Sequence, residues 1–127
     1  MYSVRLVDGS KPSEGRVEVF IQGEWGSVCD DSWDITDAFV VCRQLGFHYA
    51  LSAPMNAAFG RGVGQIELDN IECTGVEDNL VLCDHPGIGY HDCQHHEDAS
   101  VICSEDPSLP IGKVIIIIII IYNAPFI

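Results

Sequence analysis

Six cysteines, five histidines and 19 aspartates and glutamates are the residues of this 127-residue chain whose types could carry chemistry. Cys29, Cys42, Cys73, Cys83, Cys93 and Cys103 form an even set without a Cys-x-x-Cys pair, and the last four stand ten residues apart. The missing pair argues against a zinc ribbon or a thioredoxin-like redox site. Six cysteines within about 75 residues, among short helix and strand patterns, fit a disulfide framework that supplements a small core, with a Cys/His metal site as the alternative. His85, His91, His95 and His96 invite a zinc reading, since His91 and His95 are four apart. No helix signal accompanies them and oxidised cysteines are lost as ligands, so surface or structural histidines are expected. Protonation of this cluster near endosomal pH is expected to weaken cation and ligand binding.

Covalent catalysis finds no support. The chain has no Gly-x-Ser-x-Gly and no His-Glu-x-x-His, and cysteines committed to disulfides leave no nucleophile with an evident base. The expectation is that the domain is not an enzyme. Phe59-Gly60-Arg61-Gly62-Val63-Gly64 has the glycine content of a phosphate cradle, but no Gly-Lys-Ser/Thr follows and no helix pattern opens after it, so a bent loop is expected.

These residues need elements to hold them. Val4 to Val7 alternates into the turn pair Asp8-Gly9, and Arg16 to Ile21 places Val17, Val19 and Ile21 on one face. Gln22-Gly23-Glu24 reads as the turn into a third strand, Trp25 to Cys29. A helix over about 36–46 follows: Thr36 is the expected cap, Asp37 suits its positive end, Ala38, Val41, Cys42 and Leu45 recur at helical spacing, and Gly46 ends it. Cys42 is thereby expected to face inward. Ala50 to Ala53, Ile66 to Leu68 and Ala99 to Cys103 read as short strands, Asn79 to Cys83 as a short apolar turn of helix or strand, and Asp84 to Asp98 as loop.

The charge is a first filter on partners. Six Lys and Arg against 19 Asp and Glu give a formal net charge of −13, which repels a phosphate backbone and an anionic lipid surface unless a cation bridges the two. The 47% apolar content misleads, because residues 111–127 supply 13 apolar residues, including the run Ile115 to Ile121. Without that tail the chain is about 43% apolar, ordinary for a globular domain. Val114 to Ile121 would make only about 12 Å of helix against a hydrocarbon core of about 30 Å, and Asn123 and Pro125 interrupt the continuation.

Several stretches together carry a family resemblance. Val4-Arg5-Leu6-Val7, Gly15-Arg16-Val17-Glu18-Val19, Trp25-Gly26-Ser27-Val28-Cys29-Asp30-Asp31, Asp37-Ala38 through Val40 to Phe47, Leu68-Asp69-Asn70-Ile71 and His95-His96-Glu97-Asp98-Ala99 resemble, in order over about residues 4–103, a scavenger receptor cysteine-rich (SRCR) domain. The six-cysteine count resembles its group A form. The resemblance implies an α+β fold, small and disulfide-bonded, with a curved antiparallel sheet cradling one main helix. It also implies Cys29–Cys93, Cys42–Cys103 and Cys73–Cys83, one choice among the fifteen that six cysteines allow. One departure stands out: Glu67 sits between Ile66 and Leu68, where the family often has an aromatic.

That pairing gives the acids a meaning. A disulfide holds its Cα atoms roughly 4.4–6.8 Å apart, so bridging Cys29 to Cys93 would bring Asp30 and Asp31 close to Asp92, with Glu97 and Asp98 a few residues on. Carboxylates crowded without a neighbouring Lys or Arg raise each other's pKa or recruit a hard cation. Ca²⁺ fits best, with Mg²⁺ as the alternative. The resemblance implies a first cation site at Asp30, Asp31 and Glu97 and a second at Asp69 and Asp92; solvated surface acids or turn caps are the competing reading.

The function implied is an extracellular ligand-binding module of a scavenger-receptor-like or secreted protein, in an innate-immunity setting, binding proteins or polyanionic surfaces with Ca²⁺ assistance. An adhesion or structural module acting by homotypic contacts, or an accessory non-catalytic domain of a larger extracellular enzyme, is the alternative. A bound cation reverses the local field, so polyanions return as partners, while direct nucleic-acid binding is not expected. Arg5, Arg16, Arg43 and Arg61 would form a direct anion-binding patch if the fold gathers them, with Arg61 the ligand-binding candidate and Arg43 expected to pair with an acid. Disulfides imply a secreted or cell-surface setting, yet Met1 to Arg5 is no signal peptide; a mature fragment or one module of a longer chain explains both. Residues 1–106 are assigned to the SRCR domain and 107–127 to an unassigned apolar tail. That tail reads as a truncated membrane anchor, a packed strand or an artefact, and loosely matches a GPI signal from Ser104 onward.

Overall fold

The computed structural model describes residues 2–106; the tail 107–127 and the expectations attached to it lie outside the described residues. Six strands, one helix and two short 3₁₀ turns make up the rest: β1 (Val4–Asp8), β2 (Glu14–Ile21), β3 (Glu24–Val28), α1 (Ile35–Gln44), β4 (Ala50–Ser52), β5 (Ile66–Leu68), β6 (Ser100–Cys103), with 3₁₀ turns at Leu80–Leu82 and His95–Glu97.

β2 is the strand around which the sheet divides. It pairs with β1 over Gly15 to Val19, with β6 over Glu14 to Arg16 and with β3 over Glu18 to Ile21, all antiparallel. β1 overlaps both other partners along β2, so β1 takes one edge while β6 and β3 share the other. The sheet runs β4-β6-β2-β3-β5, curling around the core face of β2, where Val17, Val19 and Ile21 are buried. Each such side chain contributes about 1.5–3 kcal/mol of burial. The one exception to antiparallel order is the pair β3 and β5, which run parallel with Ser27 beside Ile66 and Val28 beside Leu68.

The helix starts one residue earlier and stops two earlier than the sequence pattern placed it, and its cap is Asp34 rather than Thr36. Asp34 Oδ1 accepts the N–H groups of Thr36 and Asp37, and Asp37 Oδ2 accepts the N–H of Asp34. Including Ile35 in the first turn moves the orphan donors back within reach of Asp34. Ala38, Val41 and Cys42 face the core as expected, and Gly46 follows the helix end at φ 96°. Asp37 is fully buried and is pushed up to about 6 by that burial, although its Oδ1 also accepts the N–H of Cys73.

Three disulfides join Cys29–Cys93, Cys42–Cys103 and Cys73–Cys83. Cys42–Cys103 ties α1 to β6 across 61 residues and Cys29–Cys93 closes 64; loops of that length correspond to about 4 kcal/mol each in the chain-entropy account. No helix of the described residues is long and apolar enough to cross a membrane.

Candidate functional site

The parallel pairing of β3 with β5 decides where the acids meet. Two parallel neighbours end on the same side of the sheet, so Cys29-Asp30-Asp31 after β3 and Asp69 after β5 leave it together, with the Cys29 N–H bonded to the Leu68 carbonyl at 2.8 Å. The Cys29–Cys93 disulfide then brings in Asp92, and the 3₁₀ turn His95–Glu97 brings in Glu97. Asp30 N–H donates to the Glu97 carbonyl at 2.8 Å, locking that turn to the end of β3.

Carboxylate oxygens of Asp31, Asp69 and Asp92 lie within 4.8 Å of one another, and so do oxygens of Asp31 and Glu97. The disulfide sits between these two sets: Asp31 Oδ2 and Asp92 Oδ1 are 3.5 and 3.6 Å from Cys93 Sγ, and Glu97 Oε2 is 3.6 Å from Cys29 Sγ. Oxidised sulfurs neither donate nor bind a hard cation, so the carboxylates are the groups of the cluster that could hold one. Asp31 belongs to both sets and joins what the sequence treats as two separate sites.

Its electrostatics follow. Asp31 is pushed up to about 6 by partial burial, by the charges of Asp69, Asp92 and Glu97, and by a side-chain hydrogen bond with Asp92. Asp69, buried after β5, is also raised, chiefly by burial and against the opposing pull of the Asn70 N–H on its Oδ1. Among the described residues no lysine or arginine pairs with any of these four acids; His96 Nε2 lies 3.6 Å from Glu97 Oε1.

Asp30 is not brought into either set. Its Oδ2 accepts the Asn56 N–H at 2.7 Å and its carbonyl accepts the Trp33 N–H, so it shapes the turn that presents Asp31. Asp98 is fully buried and serves as a hub: it accepts the Ser27 hydroxyl at 2.8 Å and the Gly62 N–H at 2.7 Å, and its Oδ2 lies 2.9 Å from His95 Nδ1. Ser27, His95 and Asp98 thus share a contact network, but Ser27 and Asp98 both address Nδ1 while Nε2 faces the Gly64 carbonyl at 3.0 Å. A serine relay needs Ser and Asp on opposite ring nitrogens.

The arginines do not form one patch. Arg16 is buried and pairs with Asp8 and Glu18, and Arg5 pairs with Glu18 and stacks over Trp25. Arg43 donates to the carbonyls of Gly75 and Glu77 and lies over the Phe39 ring, which corrects the expected acid partner: carbonyls of the Cys73–Cys83 loop are what its helix position reaches. Arg61 is exposed on the bent loop 59–64, which has no regular structure.

What sequence reasoning missed is the sharing of Asp31. The signal was the repeated order of an apolar strand end followed by acid, Val28 to Asp31 and Leu68-Asp69, but only a parallel pairing makes it meaningful.

Comparison with known proteins places these features in a group. A family model described as the scavenger receptor cysteine-rich domain matches residues 7–104. A scavenger receptor cysteine-rich domain superfamily protein of Patiria pectinifera is 55% identical over 102 residues, which is 80% of this chain and 9% of that protein. Among solved structures, the third SRCR domain of murine neurotrypsin is similar with a TM-score of 0.75 at 51% identity, covering 81% of this chain and 96% of that one. The SRCR domain of mouse MARCO in its dimeric form gives 0.68 at 44% identity, covering 80% and 94%.

Proposed function

The chain belongs to the scavenger receptor cysteine-rich family, and from that premise we propose that it is a module that engages protein or polyanionic ligands through calcium held at the Asp31 cluster. SRCR domains are extracellular, receptor-like binding modules. The chain spans 9% of the length of its curated relative from Patiria pectinifera, so the activity and partners of the whole protein belong to this proposal as well.

The observation that carries the reading is the gathering of Asp69, Asp92 and Glu97 around Asp31, with no lysine or arginine among the partners of these four acids in the described residues. Oxygens within 4.8 Å of one another can share one Ca²⁺, whose bonds of about 2.3–2.6 Å reach oxygens up to about 5 Å apart and whose coordination tolerates irregular geometry. Mg²⁺, which demands near-octahedral geometry at about 2.0–2.1 Å and gives up its waters reluctantly, is the alternative. In this reading Asp31 with Glu97 and Asp31 with Asp69 and Asp92 offer two adjoining cation positions, and Asp30 holds the turn. A bound ion turns an acidic face locally positive and leaves coordination positions for an anionic group of the ligand.

Calorimetric titration of the domain with CaCl₂ is expected to give saturable binding that Asp31→Ala severely weakens. Capture of a polyanionic probe, dextran sulfate, is expected to require calcium and to vanish with EDTA. Capture that survives both EDTA and Asp31→Ala sinks the bridging mechanism. The dimeric form of the mouse MARCO domain favours homotypic contact as the second reading. Sedimentation of this domain with and without calcium separates the two, since a ligand binder stays monomeric in both.

A further inference from the structure

A cavity of about 500 Å³ lies at the turn end of the β2–β3 hairpin, and none of the four acids of the Asp31 cluster lines it. Ile21 and Ile88 give it apolar walls, Gln22 and Gln65 supply amides, and Glu24 and Glu67 supply two carboxylates. Local chemistry explains the placement. Ile21 pairs with Glu24 across a two-residue turn whose residues, Gln22 and Gly23, have φ of 53° and 85°, the left-handed pair that matches strand twist. Glu24 is therefore held at a rigid hairpin tip. Glu67, in β5, lies over Gly26 of β3, where a Cβ would collide with Glu67 Cγ. The loop after Pro86 closes the far side, its Gly89 N–H donating to the Glu67 carbonyl at 2.7 Å.

Glu67 is the feature that points to a ligand. It is only 7% exposed, it lines the cavity, and among the described residues its carboxylate has neither a hydrogen-bond donor nor an ion-pair partner. Every other buried acid of the domain has one or is in the calcium cluster: Glu18 has two arginines, Asp37 two backbone N–H groups, Asp30 the Asn56 N–H and Asp98 three donors. The Glu67 oxygens open onto the cavity, since among the described residues Ser100 Oγ is the one buried side-chain oxygen or nitrogen without a partner, and a largely desolvated carboxylate without a counter-charge gains by pairing.

We propose that this cavity receives a basic side chain, arginine or lysine, from a protein partner, with its aliphatic stem along Ile21 and Ile88 and its charged head between Glu67 and Glu24. The chemistry matches the lining at both ends: a long apolar stem capped by donors meets apolar walls ending in acceptors. The amides of Gln22 and Gln65 offer further acceptors at the rim, and the net charge of −13 draws a basic partner to the domain. A divalent ion is the poorer occupant, since it leaves the apolar walls uncovered where an aliphatic stem would bury them.

The test uses the tripeptide Ac-Gly-Arg-Gly-NH₂ with ¹⁵N-labelled domain in saturating CaCl₂, so that the Asp31 cluster is already occupied. Saturable shifts are expected at the amides of Gln22, Gln65 and Gly89, and the uncharged Ac-Gly-Nle-Gly-NH₂ is expected to produce none. Glu67→Gln, which keeps the shape and removes the charge, is expected to weaken binding about tenfold, and Glu24→Gln, at an exposed position, about threefold. Asp31→Ala is expected to leave the affinity unchanged. Shifts centred on Asp31, equal binding of the norleucine peptide, an unchanged affinity in Glu24→Gln, or the same shifts from CaCl₂ alone would each overturn the proposal.

Discussion

Two groups of carboxylates in this domain have been given opposite electrostatic surroundings. On the sheet, Glu18 is buried between Arg16 and Arg5, with Arg16 Nε at 3.2 Å and Arg5 Nη2 at 2.7 Å, and Arg16 also reaches Asp8 at 2.8 Å. Beyond the ends of β3 and β5, Asp31, Asp69, Asp92 and Glu97 crowd one another, and among the described residues no lysine or arginine pairs with them, while His96 Nε2 lies 3.6 Å from Glu97 Oε1. Alternation along β2 places Arg16 and Glu18 on the same face, two residues apart, so the first group is complete within the fold. The second is assembled by a parallel strand pair and a disulfide, devices that fix position and supply no positive charge. The difference teaches where to look for a partner: Glu18 and Asp8 are neutralised by arginines of the chain, while the Asp31 cluster has no such cation among the described residues and, in the proposed reading, takes one from outside.

If that contrast is right, removing the internal cation is the most damaging change. Arg16→Ala leaves the buried Glu18 with only the half-exposed Arg5, and a loss of about 3 kcal/mol or more in urea unfolding is expected. The same variant should bind calcium as the wild type does. In the other group the effects reverse: Asp31→Ala is expected to weaken calcium binding about a hundredfold, because it removes the oxygen shared by both cation positions, while stability in EDTA holds or rises. A variant at Asp31 that lost stability in EDTA as Arg16→Ala does would erase the distinction between the two regions.

The pH response sharpens it further. Asp31 is raised from 3.8 to about 6, so the fold binds a proton that the unfolded chain has released between those values. That stabilisation is complete below 3.8 and is lost as the pH rises through about 6. In EDTA, the wild type is therefore expected to lose about 1–2 kcal/mol from this group between about pH 4 and pH 7, allowing for solvent screening of a half-open carboxylate. Asp37 shifts in the same direction, so the measurement is the difference between wild type and Asp31→Asn, read by urea unfolding across that range. Calcium in excess at neutral pH should cancel the loss, and its affinity should climb as Asp31 ionises. Identical profiles for the two proteins would mean that the cluster is not strained by its own charge.

How much of this was legible in the sequence follows from the range of each interaction. The valines of β2 and the inward Cys42 were legible because periods of two and about 3.6 are local. The cap was misread by two residues: Thr36 and Asp34 are both good caps, and choosing between them depends on whether Ile35 joins the first turn. The pairing of the cysteines came through the family resemblance, not through spacing. The β3–β5 pair was illegible, since three residues, Ile66 to Leu68, carry no register signal toward a strand 38 residues earlier. Hence Asp31, Asp69, Asp92 and Glu97 were named while their union at Asp31 was not. The place of Asp30 outside both sets was illegible for a related reason: neighbouring side chains in a turn diverge, and the Asn56 N–H that bonds it comes from a loop with no periodic pattern.

The smallest expected effect is also the most direct exchange between the two regions. Asp92 is exposed at the edge of the acidic cluster, and its charge is among those that raise Asp31 and Asp69. Asp92→Lys would give the cluster what the sheet acids already have, a cation from the chain itself. Exposure limits the gain, so in EDTA a rise of about 1 kcal/mol is expected, with Asp92→Asn giving roughly half because it relieves repulsion without adding attraction. Calcium, expected to stabilise the wild type, should add little to Asp92→Lys, and the Asp31 midpoint, followed by ¹³C carboxyl shifts, should move down from about 6. A lysine that neither stabilises the calcium-free domain nor lowers that midpoint would show that the acids are kept apart by geometry and solvent, and that uncompensated charge is not what separates this region from the sheet.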